Sequence, residues 1–290
     1  MTEPDRIAAC FRGGGEFFVI AGPCVLEDDR LNLGIAEALV AIGEETGVPI
    51  VYKASFDKAN RSQPGAARGP GLERGLQSLE RVRSATGLPL LTDVHDVAQV
   101  GPVAAVCDVL QIPAFLCRQT DLIHAAGASG RSVNIKKGQW MAPEQMAGAV
   151  GKARAAGAAG VAVTERGTFF GYGDLVVDMR SFLRLRAATG APAIFDGTHS
   201  VQRPGLAEGA SGGDPEYSRP LVLAAIAAGA DALFLEVHPD PARAPSDGRN
   251  MLRLDRLRPL LDEVLGLRAA LRSGGAAGPA IPAAAGAQSA

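Results

Sequence analysis

Eight short apolar runs recur along the chain, each followed by a polar cluster and then by a stretch of helical periodicity. They read FFVIAG (17–22), PIVYKAS (49–55), PLLTDVH (89–95), VLQIPA (109–114), VNIKKG (133–138), GVAVTER (160–166), PAIFDGTHS (192–200) and ALFLEVH (232–238). Near-continuous apolar runs rich in Val, Ile and Leu are what a parallel strand buried on both faces requires. The stretches between them read as helices. Residues 31–46 place Leu33, Ala36, Leu39 and Val40 on one face, and Gly47 follows as a stop signal. Residues 142–157 carry Pro143 near their first turn, and 174–189 and 219–229 fill the sixth and seventh slots. Residues 255–271 make the eighth, which requires Pro259 to lie in its first turn.

Eight alternations of strand and helix predict an α/β fold, a single-domain (β/α)8 TIM barrel. The rival is an open doubly wound sheet. That fold expects a G-x-G-x-x-G turn after its first strand, and here the turn reads GPCVLED. Residues 1–15 are weakly patterned and form an N-terminal segment, and 16–272 supply the barrel as the catalytic domain. Residues 273–290 hold eight Ala, four Gly, two Pro and no charge, so they predict a disordered tail with almost nothing to bury.

Composition narrows the function. Across 290 residues, 29 basic against 31 acidic side chains give a formal net charge of −2, so no global field recruits nucleic acid or an anionic membrane. No apolar run has the length of a membrane span, and the first residues lack a basic start followed by an apolar block. The four cysteines form no C-x-x-C pair. The chain therefore reads as a cytoplasmic protein with reduced thiols.

In such a barrel the chemistry sits where the strands end. Polar residues accumulate there: Cys24, Lys53, Ser55, Asp93, His95, Gln111, Lys136, Glu165, Arg166, Asp196, His199, Glu236 and His238. Side chains two apart share a strand face, so Asp93 with His95, and Glu236 with His238, point together into the mouth. Two chemistries separate. Cys24, His199 and Glu236 come from strands one, seven and eight, which adjoin on closure, and Asp247 follows strand eight. This mixed sulfur, nitrogen and oxygen set suits a borderline divalent metal ion such as Zn²⁺, Fe²⁺, Mn²⁺ or Co²⁺. The plainer alternative makes Cys24 a small buried hydrophobe and Asp247 a turn former. The second chemistry is an anion site built from Lys53, Lys58, Arg61, Arg118, Lys136, Lys137 and Arg166, for a ligand carrying phosphate, carboxylate or both. Its alternative pairs several of these cations with Asp57, Asp121 or Glu165.

The stretches IAGPCVLED (20–28), KASFDKANRS (53–62), RGPGLE (68–73), TDVHD (92–96), IPAFLCRQTDL (112–122), VNIKKGQ (133–139), TERGTFFGYGDLVVDMR (164–180), FDGTHSVQ (195–202), SGG (211–213) and EVHPDPARAPSDG (236–248) follow in order over most of the barrel. Together they resemble the 3-deoxy-D-manno-octulosonate 8-phosphate synthases. KANRS and CRQTDL set them apart from the related 3-deoxy-D-arabino-heptulosonate 7-phosphate synthases. The resemblance implies a transferase in lipopolysaccharide core biosynthesis. It would condense phosphoenolpyruvate with D-arabinose 5-phosphate and water and release phosphate. With Cys24 the chain resembles the metal-dependent class, whose ligands would fall on Cys24, His199, Glu236 and Asp247. The family's phosphoenolpyruvate residues fall on Lys58, Gln111, Arg118, Lys136 and Arg166, and its sugar-phosphate residues on Asn60, Arg61 and Ser62 with Asp93 and His95 nearby. Lys53 and Ser55 join the substrate set, and Cys24, His199, Asp247 and Lys136 are the catalytic candidates. The resemblance also implies a homotetramer in which a neighbouring subunit contributes to the sugar-phosphate end. Two departures stand out. Residues 63–67 read QPGAA where the family has a different loop, and the segment 205–220 looks idiosyncratic around its SGG. The competing readings are a heptulosonate-type synthase using erythrose 4-phosphate, and a barrel that binds phosphorylated ligands without catalysis.

Overall fold

A computed structural model describes residues 3–13, 15–60, 65, 67–170, 173–203 and 212–273. Eight parallel strands succeed one another around a closed barrel: β1 (Phe18–Gly22), β2 (Ile50–Lys53), β3 (Leu90–Asp93), β4 (Val109–Ile112), β5 (Ser132–Lys136), β6 (Val161–Glu165), β7 (Ala193–Asp196) and β8 (Ala232–His238). The barrel closes where β8 pairs with β1, from Phe18 opposite Ala232 to Gly22 opposite Glu236. Each of the eight apolar runs has become a strand. Helix α1 (Glu3–Phe11) precedes the barrel. Then α2 (Asp29–Thr46), α3 (Leu72–Thr86), α4 (Val97–Val106), α5 (Thr120–Ala128), α6 (Met146–Ala155), α7 (Ser181–Thr189), α8 (Ser218–Ala227) and α9 (Leu254–Ser273) follow their strands in turn. The fold is the expected (β/α)8 barrel.

The two-residue alternation of the strands makes two apolar compartments. Outward side chains such as Val19, Tyr52, Leu110, Ile135, Val163 and Leu235 pack against the helices. Inward ones, among them Phe18, Ile20, Val51, Leu91, Ile194 and Phe234, fill the lower barrel. Helix α1 seals that floor. Its Ile7, Cys10 and Phe11 lie at the i, i+3, i+4 spacing of one helical face and join the interior cluster. Phe11 meets Phe18 with ring centroids 5.3 Å apart. Burying such a side chain contributes about 1.5–3 kcal/mol relative to leaving it in water. The fit is close: a Cβ on Gly160 would stand 2.7 Å from the Phe11 Cβ.

Several details differ from the sequence reading. The buried face of α2 carries Asn32, Ile35, Ala36, Leu39 and Ile42, while Leu33 and Val40 are only half-buried. Asn32 turns the helix, because its amide donates to the Glu27 carbonyl at 3.1 Å and to the Ser78 hydroxyl at 3.3 Å. Counting apolar residues does not see a polar anchor of this kind. The helix expected over 174–189 starts only at Ser181, and Leu175–Val176 instead pair antiparallel with Thr168–Phe169. Pro259 is the sixth residue of α9, beyond its first turn, because that helix starts at Leu254. The weakly patterned N-terminal segment is helical over Glu3–Phe11. The predicted tail past Ser273 lies outside the described residues, as do residues 205–211 of the 205–220 segment. All four cysteines are buried, and none is in a disulfide. Among the described residues, no helix is long and apolar enough to cross a membrane.

Gly160→Ala tests the floor. The methyl must displace α1, so the substitution lowers the unfolding free energy by about 1–3 kcal/mol in urea titrations. An unchanged midpoint would show that α1 does not seal the barrel.

Candidate active site at the barrel mouth

Strand β1 ends in a turn that only glycine permits, since a Cβ on Gly22 would lie 2.0 Å from the Lys53 carbonyl oxygen. The close approach brings Cys24 alongside β2, where its carbonyl accepts a hydrogen bond from Lys53 Nζ at 2.9 Å. The Cys24 thiol donates toward Asp247 Oδ2 at 3.1 Å. Asp247 has a left-handed backbone, φ 54°, which short polar residues tolerate best. Gln202 Nε2 donates to its Oδ1 at 2.8 Å, and the Ser246 hydroxyl donates to its Oδ2 at 2.9 Å. Glu236 points inward from β8. One donor atom each of Cys24, Glu236 and Asp247 lies within 4.8 Å of the others. His199 falls just outside this trio, with Nε2 3.6 Å from Glu236 Oε1. Its Nδ1 lies 2.8 Å from Asp196 Oδ2. A carboxylate only accepts, so Nδ1 carries a proton toward Asp196, and Nε2 is the ring nitrogen that faces Glu236.

The charges below the mouth are matched in pairs. Lys53 Nζ stands 2.5 Å from Glu236 Oε1, and Lys136 Nζ stands 2.6 Å from Asp196 Oδ2. Both ammoniums lie over the Phe234 ring, Lys136 at 3.6 Å and Lys53 at 5.5 Å from its centroid. Burial opposes ionisation of Asp196, but His199 and Lys136 outweigh it and hold the carboxyl well below its usual range. Burial opposes ionisation of Glu236 too, and Lys53 and His199 again prevail. Burial pulls the Lys136 ammonium down against the pull of Asp196. Burial and the neighbouring Glu236 push the Cys24 thiol up, which keeps it protonated. Among the described residues, Glu236 Oε2 is buried with no hydrogen-bond partner.

A belt of hydrogen bonds crosses the other half of the interior. The Thr164 hydroxyl donates to Asn134 Oδ1 at 2.7 Å, and Asn134 Nδ2 donates to Gln111 Oε1 at 2.8 Å. Gln111 Nε2 then donates to Asp93 Oδ1 at 2.5 Å. The Ser55 hydroxyl donates to Asp93 Oδ2 and accepts from Lys58 Nζ at 3.1 Å. The carboxylates and the Cys24 sulfur around Lys58 raise its pKa in spite of burial.

The mouth therefore gathers Cys24, Lys53, Ser55, Lys58, Asp93, Gln111, Lys136, Arg166, His199, Glu236 and Asp247. Arg166 donates to Gln202 Oε1 at 2.5 Å and so adjoins Asp247 through that amide. His95 is half-buried with its ring edge on Phe56 at 5.8 Å, and its Nδ1 has no partner among the described residues. Asn60 and Arg118 are exposed. Arg61 and Ser62 lie outside the described residues, as do 63, 64 and 66 of the atypical loop.

Two expectations are corrected. Lys137 is not a cation of the mouth: it follows Lys136 on the opposite strand face, fully buried, 3.4 Å from Glu165 Oε1 and bonded to Thr168. His238 does not join the mouth cluster with Glu236. Its Nε2 meets Glu27 at 3.1 Å and its Nδ1 accepts from the Asp240 amide. The sequence reading also passed over Asn134, Thr164 and Gln202. The first two stand two residues before Lys136 and Arg166, so the period of two already placed them on the inward face.

A cavity of about 220 Å³ opens at the opposite end of the barrel, between α1 and the feet of β1 and β7. Its Glu16 pairs with Arg6 and its Asp231 with Arg186. Barrels place their chemistry at the C-terminal face, and the titratable cluster is there, so this cavity is not the site.

With that geometry in place, known proteins add a family. The sequence model of the DAHP synthetase I family matches residues 4–271. A protein of Syntrophotalea carbinolica named 2-dehydro-3-deoxyphosphooctonate aldolase is 53% identical over 272 residues, covering 93% of this chain and 98% of that one. Proteins of the same name from Desulfotalea psychrophila and Magnetococcus marinus are 51% and 55% identical, over 93% and 86% of this chain and 96% and 86% of theirs.

Asp93 offers a test of the buried charges. Burial opposes its ionisation, but Lys53 and Lys58 outweigh it and hold the carboxyl well below its usual range. The resulting stabilisation is complete above the unfolded value of about 4 and is lost as pH falls below it toward the folded one. Asp93→Asn therefore melts lower than wild type at neutral pH, and the two melting curves converge below about pH 4. A constant gap across the titration would mean that Asp93 is not held as an anion by its neighbours.

Proposed function

The chain belongs to the DAHP synthetase I family, and from that premise we propose that it condenses phosphoenolpyruvate with D-arabinose 5-phosphate and water, giving 3-deoxy-D-manno-octulosonate 8-phosphate and phosphate. It acts as a transferase in the cytoplasm and supplies the acidic sugar of the lipopolysaccharide core. The relatives' name describes an eight-carbon 3-deoxy-2-keto acid phosphate. Such a product divides between C3 and C4 into a three-carbon enol and a five-carbon aldehyde, which are these two substrates. The observation that carries the reading is the juxtaposition at the mouth. Lys58, Lys136 and Arg166 stand beside a cluster of Cys24, Glu236 and Asp247 whose donor atoms lie within 4.8 Å of one another. Cations there suit a doubly acidic substrate, and the cluster suits a metal ion.

Phosphoenolpyruvate carries a charge of about −3 near neutral pH. Lys58, Arg118, Lys136 and Arg166 neutralise it, and the Gln111 amide donates to it, so one face of the enol is turned toward the sugar. Asn60, Arg61 and Ser62 hold the sugar phosphate, with Asp93, His95, Ser55 and Lys53 bordering it. The enol C3 attacks the aldehyde carbon and the carbonyl oxygen becomes the new hydroxyl. Water adds at C2, and the C–O bond to phosphate breaks with its electron pair leaving on phosphate. The two protons of water end on the new hydroxyl and on the departing phosphate. Lys136 is suited to carry one of them, because burial weakens its hold on the proton while Asp196 keeps it in place. His199 and Asp247 are the other candidates.

A divalent ion fits the cluster. Glu236 Oε2 is buried and has no partner among the described residues, and the thiol, imidazole and carboxylates make a set for Zn²⁺, Fe²⁺, Mn²⁺ or Co²⁺. Cys24, His199, Glu236 and Asp247 would hold it, with Asp196 fixing the His199 tautomer. When bound, the ion supplies Lewis-acid stabilisation of developing negative charge or acidifies a water. Loading must expel the Cys24 thiol proton, since burial favours the neutral form. The working assembly is a homotetramer in which a neighbouring subunit closes the sugar-phosphate end.

Phosphate release measured with each aldose phosphate tests the substrate. Arabinose 5-phosphate supports turnover at least about tenfold faster than erythrose 4-phosphate, and the reverse order would overturn the reading. Chelation abolishes turnover and a divalent ion restores it. Cys24→Ala loses bound metal and about a hundredfold or more of activity. Full turnover by that variant without metal would remove the ion from the account.

A further inference from the structure

Asn134 and Thr164 are wholly buried inside the barrel, and no role has yet been given to either. Both belong to the hydrogen-bonded belt that ends on Asp93. A side-chain amide has a donor end and an acceptor end of nearly equal shape, so its direction must be set by its partners. Asp93 and Gln111 are register neighbours on β3 and β4, and Gln111 and Asn134 on β4 and β5. Asp93 already accepts from the Ser55 hydroxyl, and its other oxygen faces Gln111 at 2.5 Å. A carboxylate cannot donate, so Gln111 must turn Nε2 toward it. The Gln111 oxygen then faces Asn134, which must answer with Nδ2. The Asn134 oxygen is left facing Thr164, whose hydroxyl donates to it. Every donor meets an acceptor in one direction only. Reversal would set the Gln111 carbonyl against the Asp93 carboxylate and leave buried polar atoms unsatisfied.

We propose that Asn134 and Thr164 are positioning residues that lock the Gln111 amide with its nitrogen toward Asp93, so that the mouth offers phosphoenolpyruvate a fixed donor. Gln111 Nε2 has two hydrogens and spends one on Asp93, which leaves one for a ligand. Thr164 terminates the chain of donors. Without its hydroxyl the Asn134 oxygen loses its partner, and the Asp93 carboxylate alone is left to hold the direction of the amides. The proposal rests on the reading of the mouth as the phosphoenolpyruvate site.

Thr164→Val, which keeps the side-chain shape and removes the hydroxyl, is the direct test. It raises KM for phosphoenolpyruvate by about three- to tenfold and leaves kcat within about twofold, the size expected for one hydrogen bond. Thr164→Ser restores KM. In a Gln111→Met background Thr164→Val has no further effect on KM, because the amide it orients is gone. An unchanged KM, or the same rise in the Gln111→Met background, would overturn the proposal. A second readout needs no turnover. In protein labelled with 15N-glutamine, the Gln111 side-chain amide exchanges slowly with solvent, quickly in Thr164→Val and slowly again in Thr164→Ser. If the wild-type protein consumed no phosphoenolpyruvate, the substrate assignment would fail while slow exchange still upheld the lock. Fast exchange in the wild-type protein would end the lock whatever the turnover, and that measurement decides the matter even if the valine protein does not fold.

Discussion

Lys53, Lys136, Asp196 and Glu236 carry full charges inside the barrel, each 6% exposed or less. Moving one such group out of water costs several kcal/mol unless an opposite charge and further hydrogen bonds stand close by. The structure meets this constraint locally, pair by pair. Lys53 takes Glu236 and the Cys24 carbonyl, and Lys136 takes Asp196. Asp196 also receives the backbone N–H groups of Thr198 and His199, which folds the chain after β7 tightly and delivers the imidazole to the mouth. The pairs stand on an apolar floor of Phe18, Ile20, Val51, Leu91 and Phe234 that α1 closes from below. Taking away one partner strands the other, so these positions are bound to one another more tightly than to the rest of the fold.

Pairing also decides what is left over. Lys53 uses one oxygen of Glu236, and the other stays buried and unpartnered near the Cys24 thiol and Asp247. That corner is short of a cation. On the neighbouring side Lys58 and Arg166 hold amide and hydroxyl contacts and, among the described residues, no ion pair with a carboxylate, although Cys24, Glu236, Asp93 and Asp247 stand near enough to raise the Lys58 pKa. A chain of near-zero net charge thus sets a buried carboxylate oxygen beside two cations, an arrangement that would suit an ion and an acidic substrate side by side. Asp247 sits between them, held by Gln202, which also receives Arg166.

The barrel was legible because strands buried on both faces leave unbroken apolar runs, and all eight did so. The mouth was largely legible because its polar residues break those runs at inward positions near their ends. Residue type alone did not show which charge neutralises which. Lys136 and Lys137 look alike in sequence, yet one faces inward to Asp196 and the other outward to Glu165. The period of two separates them, and the same rule places Asn134 and Thr164 on the inner face. The α2 face was misread because Asn32, a polar residue, is its anchor. The hairpin of 168–169 with 175–176 left no apolar run long enough to mark it.

X-ray absorption at the zinc edge of the zinc-loaded protein addresses the central claim, that one ion is held by a sulfur, a nitrogen and carboxylate oxygens beside the cationic pocket. The account predicts a single sulfur at about 2.3 Å with the remaining ligands nitrogen or oxygen at about 2.0–2.2 Å, and no sulfur in Cys24→Ser. A shell of nitrogen and oxygen alone in the wild-type protein, or one unaltered by that substitution, would contradict it.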